Sequence, residues 1–146
     1  MPGILEKPPA TTGDYSCWLP RHRRSGSAAR RLLREFLARL TNGGRYLWAG
    51  ESVLTELVNN AVQHARTPQG RLVMVRFELR PGRLRVEVHD AGDTAPTLRT
   101  AQPDDEGGRG LQLVEQLSVD CGCCSREGGV GKVVWAAVAP ENGDAQ

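Results

Sequence analysis

The sequence predicts an α+β fold, a two-layer sandwich in which a mixed, mainly antiparallel sheet carries three helices on one face. Three observations lead there. Val73-Met74-Val75-Arg76-Phe77 and Leu84-Arg85-Val86-Glu87-Val88 alternate apolar and polar residues with a period of two. Two other stretches, around Leu33 and Leu57, repeat apolar residues at helical spacing. The elements follow one another as β-α-α-β-β-loop-α-β-β, and strands adjacent in sequence favour antiparallel pairing.

Residues 1–13 hold three prolines and no periodicity, and read as a flexible lead-in. A single domain is expected over 14–139, followed by a polar tail, 140–146. A short strand is expected over Tyr15–Leu19, stopped by Pro20. Ala29, Leu32, Leu33, Phe36, Leu37 and Leu40 then form the stripe of a helix over Ser27–Leu40, ended by Thr41-Asn42-Gly43-Gly44, with glycine as its C-terminal cap. A second helix over Arg45–Ala65 has Leu54, Leu57, Val58, Ala61 and Ala65 on its core face, and Pro68 and Gly70 mark the break after it. Strands Leu72–Leu79 and Leu84–His89 are joined by the turn Arg80-Pro81-Gly82-Arg83. After a long Gly, Pro, Asp and Thr-rich stretch comes a third helix, Leu111–Leu117, and then strands Val119–Ser125 and Lys132–Val138.

The 146 residues carry 19 basic and 17 acidic side chains, a formal charge of +2 that by itself indicates neither nucleic acid nor a membrane surface. The basic residues are unevenly placed: Arg21-His22-Arg23-Arg24 is followed by Arg30, Arg31 and Arg34, which suits either a solvated helix face or an acidic protein partner. No apolar run approaches the roughly 20 residues of a membrane span, and no signal peptide is evident, so a cytoplasmic location is expected. The four cysteines are then expected as free thiols. Cys121-Gly122-Cys123-Cys124 suggests soft-metal ligation only weakly, because it lies in an expected strand and lacks a second pair. Trp18, Trp48 and Trp135 read as core or interface residues, and His64 as a packed helix-end residue.

The second helix carries Glu56, Asn60 and His64 at intervals of four, hence on one line, with Asn59 and Gln63 beside it. Two adjacent asparagines are poor helix formers, a local cost of the kind found at functional sites, although a plain solvent-facing surface would also account for them. Asp90-Ala91-Gly92 directly follows a strand, where a carboxylate can accept from an exocyclic amine and a glycine lets a flat base approach the backbone. Gly107-Gly108-Arg109-Gly110-Leu111 precedes a helix, where converging N–H groups and the helix dipole favour phosphate. Gly128-Gly129-Val130-Gly131-Lys132 reads more simply as a glycine turn with a surface lysine than as a ligand contact. There is no G-x-x-x-x-G-K-[ST] loop and no G-x-G-x-x-G after a strand, so Walker and dinucleotide folds are not supported.

Thr55-Glu56-Leu57-Val58-Asn59-Asn60-Ala61-Val62-Gln63-His64-Ala65 resembles the N box of the GHKL (histidine-kinase-like) ATPases. Asp90-Ala91-Gly92 resembles their G1 box, Gly108-Arg109-Gly110-Leu111 their G2 box, and Gly131-Lys132-Val133-Val134-Trp135 is similar to their closing strand. The resemblance spans about residues 15 to 138 and is nearest to the stand-alone anti-sigma-factor serine kinases and related actinobacterial regulators. It implies a Bergerat ATP-binding fold with ATP and Mg²⁺ as cofactors. Glu56 would be the catalytic base and Asn60 the Mg²⁺ ligand. Asp90 would bind the adenine amine and Gly92 admit the base, while Gly108, Arg109, Gly110, Leu111 and Lys132 would complete the nucleotide contacts. The segment from Asp93 to Gly107 would be the ATP lid, although Asp93-Thr94 stands where a second glycine is common and Asp104-Asp105-Glu106 makes the lid end acidic.

The implied function is a serine/threonine protein kinase that phosphorylates an anti-sigma-factor antagonist and sequesters a sigma factor. The alternatives are a nucleotide-gated binding regulator without turnover and a nucleotide-independent scaffold. A homodimer is an assembly the resemblance allows, and no direct nucleic-acid or membrane partner is implied. With no phosphoacceptor histidine domain ahead of the ATP unit, a complete sensor histidine kinase is not expected.

Overall fold

A computed structural model describes residues 11–64, 72–90, 106–125 and 131–141, with the backbone alone for 64 and 106–110. The elements are β1 (Gly13–Pro20), α1 (Ser25–Ala38), a 3-10 turn (Gly43–Tyr46), α2 (Leu47–His64), β2 (Leu72–Arg80), β3 (Arg83–Asp90), α3 (Glu106–Leu117), β4 (Asp120–Ser125) and β5 (Lys132–Val138). The strands form one sheet in the order β1-β2-β3-β5-β4, antiparallel at every described pairing. The chain leaves β3, passes through α3 to the edge as β4, and turns back to place β5 between them.

Strand parity decides which side each residue faces. Val73, Val75, Phe77 and Leu79 of β2 are buried, and their register partners Leu84, Val86 and Val88 on β3 are buried with them. The helices cover this face, with α2 packed between α1 and α3 and lying over β3 and β5. Leu33 and Leu37 of α1 and Leu54 and Leu57 of α2 close the core from above. Phe77 stacks on Tyr15 at 5.9 Å and meets Phe36 at 5.6 Å, tying β1, β2 and α1 together. Burying large side chains of this kind is the main favourable term in such a fold, about 1.5–3 kcal/mol each.

Several boundaries differ from the sequence reading. β1 runs on through Pro20, which ends the strand as its last residue instead of lying beyond it. Between the first two helices the left-handed residue is Asn42, at φ 60°, not a glycine. Gly43 is required for a different reason: a Cβ there would collide with the carbonyl of Leu37. α3 begins at Glu106, five residues before Leu111, so the glycine cluster forms its first turns and does not precede it. Trp18 and Trp48 are not core residues; they are 50% and 61% exposed, because their positions on β1 and α2 point away from the packed faces. Gly92 and most of the expected lid lie outside the described residues, as does the glycine turn up to residue 130.

Candidate functional site

Helix α2 has three distinct sides. Gly50, Val53, Leu54, Leu57 and Ala61 face the sheet. Glu51, Thr55 and Asn59, one turn apart, face α1: Arg34 Nε lies 2.5 Å from Glu51 Oε2, Arg30 Nη1 donates to Thr55 Oγ1 at 3.2 Å, and Asn59 Oδ1 abuts Gly26. That leaves the line of Glu56 and Asn60 for the α3 side. Asn60 is 9% exposed although it is an amide in a helix, and Glu56 is half-buried.

The direction of α2 brings this line to one end of the sheet. Gly50 sits against Leu84, whose Cδ2 would be 2.8 Å from a Cβ on that glycine, so the start of α2 lies over the start of β3. The end of α2 feeds β2, whose Val73 pairs with Asp90 at the end of β3. The helix therefore runs along β3 in the same sense. It advances about 15 Å from Gly50 to Asn60, while the strand advances about 20 Å from Leu84 to Asp90. Asn60 and Asp90 thus arrive at the same end of the molecule.

Asp90 shares the inward parity of Leu84, Val86 and Val88, and is 3% exposed. Its Oδ2 accepts no hydrogen bond from the described residues, although Asp90 has another interaction. Lys132 stands opposite Asp90 in the β3–β5 register, with the inward parity of Val134 and Ala136, and is 5% exposed. The surface-lysine reading of this residue is therefore wrong; β5 is apolar on both parities, so only its register with β3 shows that Lys132 faces inward. The backbone of Gly107, Gly108, Arg109 and Gly110 forms the opening turns of α3, where the first N–H groups have no partner within the helix. Leu111 is buried to 6% exposure, so only its backbone is available to a ligand.

This donor set fits an adenine nucleotide. A buried carboxylate suits an exocyclic amine, and unpaired helix N–H groups suit phosphate. No cluster of three His, Cys, Asp or Glu side chains able to hold a metal occurs among the described residues. A magnesium ion here would depend on the carboxamide oxygen of Asn60 and on the phosphates themselves, which is a common arrangement for this cation. The cysteines do not offer an alternative centre. Cys121 and Cys123 face the helices and Cys124 the other side, and burial pushes the thiols of Cys121 and Cys123 up, away from the thiolate form that binds metal.

The opposite face of the sheet carries a charge network that sequence reasoning passed over. Glu87 accepts from Arg85 at 2.7 Å and from Arg76 at 3.4 Å, and its other oxygen lies 2.8 Å from His89 Nε2. The hydrogen bond with His89, then those with Arg85, hold the Glu87 carboxyl down at about 2 against the cost of burial. Arg85 also lies 4.0 Å over the ring of Trp135. The alternation Arg85-Glu87-His89 on one strand and Arg76-Glu78-Arg80 on its neighbour is the signal in the sequence. These groups satisfy one another and lie on the far side of the sheet from Asn60.

The family model for the histidine kinase-like ATPase domain matches residues 19–138, from the end of β1 through β5. A search of the curated proteins gives no match for the chain. The match takes in α2 with its Glu56–Asn60 line, Asp90 at the end of β3, the glycine-rich start of α3 and the closing strand from Lys132, on a five-stranded antiparallel sheet with its helices on one face. On that match and that fold, the chain belongs to the histidine kinase-like ATPase family.

Proposed function

We propose that the chain binds ATP with Mg²⁺ where α2, the Asp90 end of the sheet and the start of α3 meet, and passes the γ-phosphoryl group to a serine or threonine of a partner protein. The observation that carries this reading is the pairing on one helix flank of a half-buried carboxylate, Glu56, with a buried carboxamide, Asn60, at the level of Asp90. In this reading Asp90 accepts a hydrogen bond from the adenine amine and Gly92 leaves room for the base. The backbone N–H groups of Gly108, Arg109, Gly110 and Leu111 hold the phosphates, and Lys132 adds positive charge at the floor. Asn60 holds the magnesium ion, which when bound neutralises phosphate charge and orients the triphosphate.

Glu56 takes the proton of the attacking hydroxyl as its oxygen bonds to the γ-phosphorus, and the bond to the bridging oxygen breaks to release ADP. The partner is an anti-sigma-factor antagonist, and the same protein sequesters a sigma factor; both rest on the sequence resemblance. The test incubates the protein with Mg-ATP and candidate antagonists and reads phosphoserine and phosphothreonine by mass spectrometry. Transfer that is lost in Glu56→Gln, with ATP binding retained, supports the kinase. ATP binding without any transfer by the wild-type chain selects a binding regulator instead.

A further inference from the structure

The outer surface of the α1–α2 pair has a composition that the nucleotide site does not explain. The two helices run antiparallel, in register at Gly26 with Asn59, Arg30 with Thr55 and Arg34 with Glu51. Extending that register brings Leu47, the neighbour of Trp48, beside Ala38. The solvent side therefore presents Arg24, Arg31, Arg34 and Ala38 from one helix and Trp48 from the other. It extends about 21 Å from Arg24 to Ala38. Trp48 is 61% exposed. Glu51 is the carboxylate in the seam among the described residues, and Arg34 already engages it, while Glu35 stands one turn from Arg31 toward the other flank of α1. Arg24 and Arg31 make no side-chain hydrogen bond or ion pair among the described residues.

The charge also runs against the helix. Arg23 and Arg24 sit at the N-terminus of α1, whose first turn holds no acidic residue and whose N-cap makes no side-chain hydrogen bond. Cations there oppose the helix dipole, and an anionic partner would relieve that opposition. The surface on the other flank of α1 is different. There Asp14, Glu35 and Arg39 mix both signs around a cleft of about 250 Å³ floored by Tyr15, Leu32 and Phe36.

We infer that the α1–α2 surface is the docking face for an acidic protein segment, one that sets carboxylates against Arg24 and Arg31 and an apolar side chain against Trp48. The inference deepens the kinase reading, on which it rests for one point: Glu56 lies on the next flank of α2, so a partner seated here has its hydroxyl side chains close to that carboxylate. Single-stranded nucleic acid is the competing anion. The surface offers it one exposed aromatic ring, where binding along a strand uses successive stacking platforms.

The test measures fluorescence anisotropy with three labelled probes: an acidic amphipathic helical peptide of Glu, Ala and Leu, its Lys-for-Glu twin, and an oligothymidine. The wild-type protein is expected to bind the acidic peptide in preference to the other two. Arg24→Glu combined with Arg31→Glu weakens that binding about tenfold, Trp48→Ala about fivefold, and Arg31→Lys leaves it within about twofold. Equal binding by the double charge reversal and the wild type, or tighter binding of oligothymidine than of the acidic peptide, overturns the inference. Calorimetry with Mg-ATP on the same samples reads the nucleotide site separately, so a failed kinase and a failed docking face give different patterns.

Discussion

The two faces of the sheet carry polar residues on different terms. On the outer face, Arg76, Glu78, Arg85, Glu87 and His89 form a network in which each charge meets an opposite one, and the hairpin β2–β3 explains their presence. On the helix-covered face the pattern calls for apolar residues, and most positions obey. Asp90 and Lys132 do not, and they stand opposite each other at one end of the sheet, the end to which α2 delivers Asn60. Both have interactions of their own, yet neither repeats the alternating charge pattern of the outer face. Polar groups set into an apolar wall at one edge point to a ligand.

The largest effect expected from breaking this contrast is on catalysis. On the proposed mechanism, Glu56→Gln should lower phosphoryl transfer by about 10²–10⁴-fold, as loss of a general base does, with Mg-ATP affinity within about threefold of wild type, since there the carboxylate would act on the hydroxyl and not on the nucleotide. Single-turnover transfer and calorimetry read the two quantities. On the apolar part of the same face, Phe77→Ala should cost about 3–5 kcal/mol of stability in urea unfolding, from lost burial and the cavity left between β1, β2 and α1. A smaller loss would mean that Tyr15 and Phe36 collapse into the space.

On the outer face, Glu87→Gln should cost about 2–3 kcal/mol at neutral pH, because it leaves three cationic or protonatable neighbours without their shared carboxylate. The pH dependence has a definite sign. The Glu87 carboxyl is lowered from 4.5 to about 2 in the folded protein. Its contribution is therefore complete above pH 4.5 and is lost as pH falls through 2. The stability difference between wild type and Glu87→Gln should shrink across that window, and a gap that stays constant would show that the carboxylate is not held by its partners. Phosphoryl transfer by this variant should stay within about twofold of wild type, since the network lies away from the Glu56–Asn60 flank.

Much of this contrast was legible in the sequence. Alternation in β2 and β3 and the helical stripe of α1 set the layers, and the spacing of Glu56 and Asn60 put them on one line. The start of α3 was misplaced because three glycines within Glu106–Gly110 argue locally against a helix. Packing of Leu111, Val114 and Leu117 carries the helix back over them. Lys132 reads as a turn residue because it follows glycines, and since β5 is apolar on both parities, its inward side is fixed only by the pairing with Asp90 on β3. Trp48 could not be placed from spacing alone, since its exposure depends on which side of α2 meets α1.

The most direct test of the central claim is calorimetric titration of Mg-ATP into the wild-type chain and into Asp90→Asn, with unfolding curves to show that both are folded. The account predicts saturable one-site binding by the wild type, and a loss of affinity of about tenfold or more in the variant, whose amide nitrogen turns an acceptor into a donor facing the adenine amine. Equal affinities in the two folded proteins, or no binding by the wild type, would contradict it.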